Sequence, residues 1–195
     1  MLARQVPPEH VEWCPAVAQP VHEQGLDEER AAIRNRAARA IIPQSFIRMS
    51  ELVVLHRDPH RFDLLYRSLW RLVYEPELKH DVHDADLARL RQMAQAVRRD
   101  VQKMKARLQF RRLAAKGQEV YVAWYEPAHY VTETVGAWLA KRDPARHWIL
   151  LTPDRSLRWD GEQLLTAPGV AAANGPGAVA REDAMARVVE TLAWV

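Results

Sequence analysis

The sequence predicts an α+β fold, in which a helical N-terminal half packs on a small mixed sheet with strand–helix–strand–hairpin order. Two observations lead to this prediction. Apolar residues recur every three or four positions as far as about residue 116, which is typical of amphipathic helices. After Gly117 the period changes, and short apolar runs that end at proline or Asp-Gly dipeptides are typical of strands. A chain of 195 residues is long enough for one substantial core.

Composition divides the chain into four segments. Residues 1–26 are irregular and rich in proline, residues 27–166 form the predicted single α+β domain, residues 167–180 are an Ala/Gly/Pro linker, and residues 181–195 form a short C-terminal helix. Because no apolar run is long enough to span a bilayer and no signal segment is recognisable, we expect a cytoplasmic protein with no membrane partner. The single cysteine, Cys14, excludes an internal disulfide.

Three helices are predicted before the basic segment. Residues 27–42 form the first, which Pro43 ends, and residues 45–56 form the second. The third begins near Pro59, because the first turn of a helix tolerates proline. Its predicted inward face carries Phe62, Leu65, Tyr66, Leu69 and Leu72.

The fourth predicted helix is long and strongly basic. It begins at Asp84, and we expect it to end near Lys116–Gly117, because glycine commonly follows the last turn of a helix. Its apolar stripe includes Val97, Val101 and Met104, which should be buried. Its basic residues are Arg98, Arg99, Lys103, Lys105, Arg107, Arg111, Arg112 and Lys116.

This run of cations indicates a polyanionic partner. Between residues 98 and 116 the chain has eight basic residues and one acid, so this segment is more positive than the whole chain, whose net charge is +3. Like charges four residues apart repel each other on a helix, and an anion relieves that repulsion. An ordinary solvated face interleaves both signs, whereas this run almost lacks acids. The alternative is a solvated face whose cations pair with carboxylates elsewhere in the fold.

The strands are predicted after the basic segment. Residues 120–125 and 147–151 are apolar runs, and each ends beside a proline. A helix over residues 130–141 lies between them, and residues 157–159 and 164–165 form a hairpin around an Asp-Gly turn. The inward face of that helix is predicted to carry Val131, Val135 and Trp138.

Polar residues follow the first two predicted strands, where sheets of this kind place functional groups. Glu126 and His129 come after the first strand, and Asp154 and Arg155 come after the second. A parallel strand–helix–strand unit would bring the two loops to one edge of the sheet. Glu126, His129 and Asp154 are therefore candidates for acid/base catalysis, and Arg155 is a candidate phosphate ligand. The alternative is that Asp154 caps its turn while Arg155 pairs with Glu126.

Other common chemistry is not indicated. No Gly-rich phosphate loop, dinucleotide fingerprint or hydrolase nucleophile elbow is present. The pairs His56 with His60 and His80 with His83 have helical spacing, but neither is accompanied by the glutamate of a metalloprotease motif. We therefore expect no metal site and no cofactor.

Three strings of the chain resemble a bacterial domain family of unassigned biochemistry. They are LHRDPHRFDLLYRSLWRL, AVRRDVQKMKARLQF, and YVAWYEPAHYVTE together with ILLTPDRSLRWDG, and the resemblance covers residues 6–169. That family occurs fused ahead of uracil-DNA glycosylase-superfamily domains of the UdgX type. It also occurs alone, beside a radical-SAM protein assigned to DNA modification or repair. The resemblance implies a DNA-metabolism context and does not imply a reaction.

The chain departs from that family at several places. Gln102 stands where the family has a histidine in the basic motif, and Ala128 replaces an acid before His129, which weakens an acid/base role. The family's C-terminal segment is not recognisable in residues 180–195. No glycosylase motif is present, so any excision chemistry would reside on another chain.

Residues and resemblance together predict an accessory module of DNA metabolism. It would bind the nucleic-acid backbone through the basic helix and assist a glycosylase-superfamily or radical-SAM partner. An enzyme that acts on nucleic acid through the residues after the strands is one alternative. A purely protein-binding subunit is the other.

Overall fold

The computed structural model describes residues 5–13, 42–115 and 118–170. These residues contain four α-helices, mostly in the N-terminal half, and a five-stranded mixed sheet, which confirms the α+β class. The chain forms two compact units, Met1–Ala96 and Val97–Val195. No helix in the described ranges has the length and apolar character needed to cross a membrane.

Parts of the predicted organisation lie outside the described residues. These parts are most of the N-terminal segment 1–26, the helix over residues 27–42 apart from its last residue, most of the linker 167–180, and the C-terminal helix 181–195. The last strand reaches Pro168 and so extends into the predicted linker. The division into domains stays a prediction.

The first unit is built from helices. Helix α1 spans Gln44–Val53, α2 spans Arg61–Tyr74, and α3, Ala85–Arg107, begins in this unit. Their apolar faces form a core in which Val53 and Leu90 are fully buried. Short 3₁₀-helices are formed by Pro8–His10 and Pro76–His80.

The predicted inward face of α2 is only partly correct. Tyr66 and Leu72 are buried as predicted, but Leu64 is also buried, and it was not part of the prediction. The predicted residues Phe62, Leu65 and Leu69 are half-buried, and Leu65 and Leu69 pack against the core of this unit. Aromatic contacts explain part of this difference, because the Phe62 ring stacks against Trp13 at 5.4 Å between centroids.

Helix α3 begins where the sequence predicts. The side chain of Asp84 accepts a hydrogen bond from the Leu87 N–H at 2.9 Å, which is the N-cap geometry. Arg71 donates to the Asp84 carboxylate at 2.7 Å. Arg67 donates two hydrogen bonds to Asp86, at 2.7 and 2.9 Å, and they hold the pKa of Asp86 below its usual value. The first turn of α3 is therefore fixed by arginines of α2.

Helix α3 ends at Arg107, so its predicted end near Lys116–Gly117 is wrong. The chain beyond it forms strand β1, Arg111–Ala115, which pairs antiparallel with β2, Gln118–Trp124. Glycine marks hairpin turns as well as helix ends, so its position was compatible with both structures. The backbone pairing with β2 overrides the helix propensity of the Arg, Leu and Ala residues in this segment.

The sheet has the strand order β1-β2-β3-β4-β5. Strand β3, Trp148–Leu151, is parallel to β2, and α4, Thr132–Arg142, connects the two. Strands β4, Arg155–Trp159, and β5, Leu164–Pro168, follow antiparallel. The predicted strand–helix–strand–hairpin order is confirmed, and β1 is the strand that the prediction missed.

Helix α4 lies close to the sheet. A Cβ at Gly136 would collide with the side chain of Leu157 on β4, so glycine permits the close approach. Val131 and Val135 are fully buried, as predicted. Trp138 is half-buried, so it is less enclosed than the prediction of an inward position implies.

The apolar stripe of α3 in the second unit is confirmed. Val97 and Met104 are completely buried, and Val101 keeps 8% of its surface exposed. Each residue has a fixed angular position on a helix. Burial of this stripe therefore determines in which direction the charged residues on its two sides point.

Candidate nucleic-acid interface

The basic residues of α3 form two stripes on the helix surface. The first basic stripe consists of Arg99, Lys103 and Arg107, which are spaced four residues apart and are all exposed. Among the residues that the structure describes, none forms a salt bridge with any member of this stripe. Successive members are about 6 Å apart along the helix axis. The first basic stripe therefore presents an inclined row of cations along one flank of the helix.

The second basic stripe lies on the other flank of the helix. It consists of Arg98, which is exposed, and Lys105, which is half-buried, seven residues further on. The Lys105 ammonium lies 4.5 Å from the centroid of the Trp138 ring. Gln102 and Ala106, both exposed and uncharged, lie between the two stripes.

Asp100, the single acid in the basic segment, does not neutralise the first basic stripe. It is buried, and its Oδ2 accepts a hydrogen bond from the His129 backbone N–H at 2.9 Å. Sequence reasoning did not identify this role. The position of Asp100 beside Val97 and Val101 in the helical period was the available signal, since it places the carboxylate at the border of the apolar stripe.

Tyr125 connects the end of α3 with the end of β2. Burial raises the pKa of the Tyr125 hydroxyl, and Asp100 raises it further, whereas Arg107 lowers it. The hydrogen bond from the His129 N–H to Asp100 shows that α3 lies beside the loop that follows β2.

Arg111 and Arg112 do not continue the helical row. Both lie on β1, so the predicted ladder of four cations ends at Arg107. Arg112 is paired with Glu119 on the neighbouring strand at 2.8 Å, and Arg111 also has an interaction partner. Lys116 lies outside the described residues. The two strand arginines are accordingly less available to a ligand than the helix residues.

The loops after β2 and β3 lie at the same edge of the sheet, as the sequence predicts. The two strands are parallel with Trp124 opposite Leu151, and the Tyr125 N–H donates to the Leu151 carbonyl at 3.0 Å. Glu126, which is exposed, and Asp154, which is half-buried, follow the two strand ends. The parallel pairing therefore brings these two loops together.

The ion pair between Arg155 and Glu126, which was the alternative interpretation of this cluster, is not formed. Arg155 forms its salt bridge with Glu133 in the first turn of α4, and not with Glu126. Both side chains of the pair are about half exposed. Glu133 is within reach of Arg155 because α4 begins at Thr132, directly after the buried Val131.

Thr152 organises the turn after β3, whereas the alternative interpretation of the sequence considered Asp154 for such a role. Its hydroxyl accepts from the Arg155 N–H at 3.1 Å and donates to the Arg155 carbonyl at 2.7 Å. It also contacts the Thr132 hydroxyl at 3.2 Å, and Thr152 is fully buried. The available signal was a threonine three residues before the start of β4, the spacing of a side-chain turn.

A pocket of about 590 Å³ lies at the opposite edge of the sheet from these loops. Tyr121 and His147, near the N-terminal ends of β2 and β3, line it together with Asp143 and Arg146. Arg146 pairs with Asp143 at 3.1 Å and lies 4.5 Å from the Tyr121 ring centroid. The candidate catalytic residues Glu126, His129 and Asp154 are not among the residues lining this pocket.

The histidine pairs make other contacts. His56 Nδ1 accepts a hydrogen bond from the Asp58 N–H at 3.1 Å, and burial lowers the pKa of His56. His60 Nδ1 lies 3.4 Å from the Asp63 carboxylate. Within the described ranges, no group of three or more His, Cys, Asp or Glu side chains is arranged to hold a metal ion.

Comparison with known proteins identifies the family. Residues 59–187 match the family described as a domain of unknown function, DUF4130, which is more than half of the chain. The chain therefore belongs to the DUF4130 family. No curated protein and no solved structure matches the chain significantly.

Proposed function

We propose that this protein is a DNA-metabolism accessory module that binds the nucleic-acid backbone through the first basic stripe of α3. The observation that supports the proposal is the exposed row of Arg99, Lys103 and Arg107, which forms no salt bridge within the described residues. A rigid helix holds these cations at fixed spacing, and phosphates are the ligands that such a row suits.

The electrostatic repulsion within this row of cations also supports a polyanionic ligand. Each pair of like charges four residues apart destabilises an isolated helix by a few tenths of a kcal/mol. Asp100 forms no salt bridge with the row, and its buried carboxylate instead accepts the His129 N–H. An anionic ligand would remove the repulsion, whereas a neutral partner would leave it in place.

The proposal includes a catalytic partner. The resemblance of the chain to domains that occur with UdgX-type glycosylases or beside a radical-SAM protein favours a partner of one of these two classes. In this proposal the module supplies attachment to DNA in the cytoplasm, and the partner supplies the chemistry. Contacts to the backbone position a protein without reading bases, so binding should show no sequence preference.

The enzyme alternative depends on the loops after β2 and β3. The pairing of Arg155 with Glu133 reduces the positive charge available to a phosphate, and the hydroxyl of Thr152 already organises the turn. Both observations favour a structural role for this cluster. The protein-binding alternative needs an acidic partner surface, and a competition between DNA and polyglutamate tests it.

The proposal is tested by measuring the affinity for fluorescein-labelled DNA across a salt series. The logarithm of the binding constant should fall linearly with the logarithm of salt concentration, with a slope of about −0.9 per phosphate neutralised on a duplex. Replacing Lys103 and Arg107 together by glutamate should lower the affinity at least about tenfold and make the slope shallower. Polyglutamate at equal charge should compete poorly.

A matched variant separates the local effect from net charge. Replacing Arg48 of α1 and Arg57, which follows α1, by glutamate changes the net charge equally, at exposed positions outside α3. This variant should bind DNA nearly as well as the wild type. A salt-independent affinity, or equal losses in the two double variants, would contradict the proposed function.

A further inference from the structure

Trp138 on α4 is less buried than several residues around it in the helix. Its neighbours in the helix, Val135, Gly136 and Leu139, are buried, whereas Trp138 is half-buried. Part of its surface is exposed, and the Lys105 ammonium over its ring places the indole beside α3. A large aromatic side chain that is not needed to fill the core is available for contacts with a ligand.

Two cations lie over the Trp138 ring. The Lys105 ammonium is 4.5 Å from the ring centroid, and the Arg142 guanidinium carbon is 4.6 Å from it. Arg142 is exposed, and its side chain is long and flexible. Because Lys105 belongs to the second basic stripe, this stripe leads to an aromatic ring, whereas the first basic stripe carries only charges.

We infer that Trp138, Lys105 and Arg142 form a stacking site for an unpaired base of single-stranded DNA. Proteins that bind single strands combine cations that follow the backbone with aromatic rings on which bases stack. The three residues provide both groups within one cluster. This inference rests on the proposed function, since it specifies the form of DNA that the module prefers.

A base can displace a cation from this ring. A cation–π contact near the surface contributes less than the stacking of a base on an aromatic ring. The displaced Arg142 guanidinium or Lys105 ammonium would remain close and could contact the adjoining phosphate. In duplex DNA the bases are already stacked on one another, so a duplex offers Trp138 no free base face.

The inference predicts a specific difference between two oligonucleotides. The probes are fluorescein-labelled oligothymidylate of about twelve nucleotides and an oligonucleotide of equal length with abasic sites throughout. Both carry the same phosphates, so the first basic stripe should bind both. Wild-type protein should bind oligothymidylate about tenfold more tightly in fluorescence anisotropy, because only that probe supplies bases to Trp138.

Variants at Trp138 locate the effect. Trp138→Leu should lower the affinity for oligothymidylate to that for the abasic probe and leave the abasic affinity within about twofold. Trp138→Phe, which keeps an aromatic face, should retain part of the preference. Tyr74→Leu removes an exposed aromatic ring from α2 and should leave both affinities unchanged.

The outcomes distinguish this inference from the proposed function. Equal wild-type affinities for the two probes would overturn the stacking site and leave backbone binding intact. Unchanged preference in Trp138→Leu would also overturn it. Absence of salt-sensitive binding to either probe would instead reject the proposed function. The wild-type comparison requires no variant, so the inference is testable even if Trp138→Leu does not fold.

Discussion

Thr152 uses one hydroxyl group to hold the chain reversal between β3 and β4. The oxygen accepts from the Arg155 N–H and donates to the Arg155 carbonyl, and it is completely buried. Buried polar groups are expensive to leave without partners, so the loss of this hydroxyl affects the backbone groups as well. The position of the neighbouring Asp154 depends on this turn.

Replacing Thr152 by valine should destabilise the protein by about 1–3 kcal/mol, because the Arg155 N–H would lose its acceptor at a partly buried position. Urea unfolding followed by circular dichroism measures this change. Thr166→Val on β5 is the matched control, since Thr166 is exposed and should tolerate the change within about 0.5 kcal/mol. Equal stabilities of the two variants would show that the hydroxyl does not hold the turn.

The residues of the site were predictable by location and less so by role. The sequence placed Glu126 and Asp154 correctly at one sheet edge, because the parallel crossover constrains where loops meet. The alternative that paired Arg155 with Glu126 named the wrong partner, since the start of α4 brings Glu133 within reach. Whether two side chains pair in this way depends on the residue at which a helix begins. Sequence patterns define that residue poorly.

Helix α3 combines a core-forming stripe with two charged flanks. Val97, Val101 and Met104 are buried, whereas Arg99, Lys103 and Arg107 are exposed on the same helix. Changes on the two faces should therefore have separable effects. Substitution on the buried stripe should change folding, and substitution on the flanks should change binding.

Val101→Asp should unfold the protein, because an unpaired carboxylate in the core costs several kcal/mol. Gln102→Asp places the same charge on the adjacent, exposed residue and should leave the fold intact. Thermal unfolding and the soluble yield of the two variants compare these positions directly. A natively folded Val101→Asp protein would mean that the helix face is assigned incorrectly.

Elements defined by local pattern were predictable, and β1 was not. The start of α3 at Asp84 and the hairpin at Gly161 follow from local rules, and Gly161 has the positive φ of 98° that such a turn favours. Residues of β1 have no such signature. They become a strand because β2 lies opposite them, and a pairing of that kind is a property of tertiary structure.

Two carboxyl groups make the stability of the protein depend on pH. Asp58 and Asp86, both in the first unit, have lowered pKa values in the folded state. The main cause is a hydrogen bond from the His60 N–H for Asp58 and from the Arg67 guanidinium for Asp86. A carboxyl group with a depressed folded pKa binds protons less readily in the folded state than in the unfolded state.

The free energy of unfolding should therefore decrease on acidification. The contribution of these carboxylates is fully present above the ordinary value of 3.8 and disappears as the pH falls through the lower folded pKa. Urea unfolding midpoints measured from pH 6 downward test this. Asp86→Asn should show a shallower decline than the wild type, whereas Glu51→Gln, at an exposed position of α1, should follow the wild type. Identical pH profiles for all three proteins would contradict the prediction.

The overall architecture was predictable because two periodicities divide the chain. Helical spacing before residue 108 and strand-like runs after residue 118 give the α+β class directly. The strand count was not predictable, since β1 falls in the segment where the helical pattern continues past the true helix end. The separation into two compact units has no sequence marker, because it falls within α3.

The parallel pairing of β2 with β3 has a consequence for synthesis of the chain. The strands of the pairs β1–β2, β3–β4 and β4–β5 follow each other closely in the chain. In contrast, Tyr121 of β2 pairs with Trp148 of β3, which is synthesised 27 positions later, after α4. At about 5–20 residues per second, translation leaves that pairing edge of β2 exposed for a few seconds. Val122 on this edge is fully buried in the finished sheet, so a nascent chain presents an apolar strand without its partner. Slower elongation across α4 would lengthen that exposure and would favour association between nascent chains on neighbouring ribosomes.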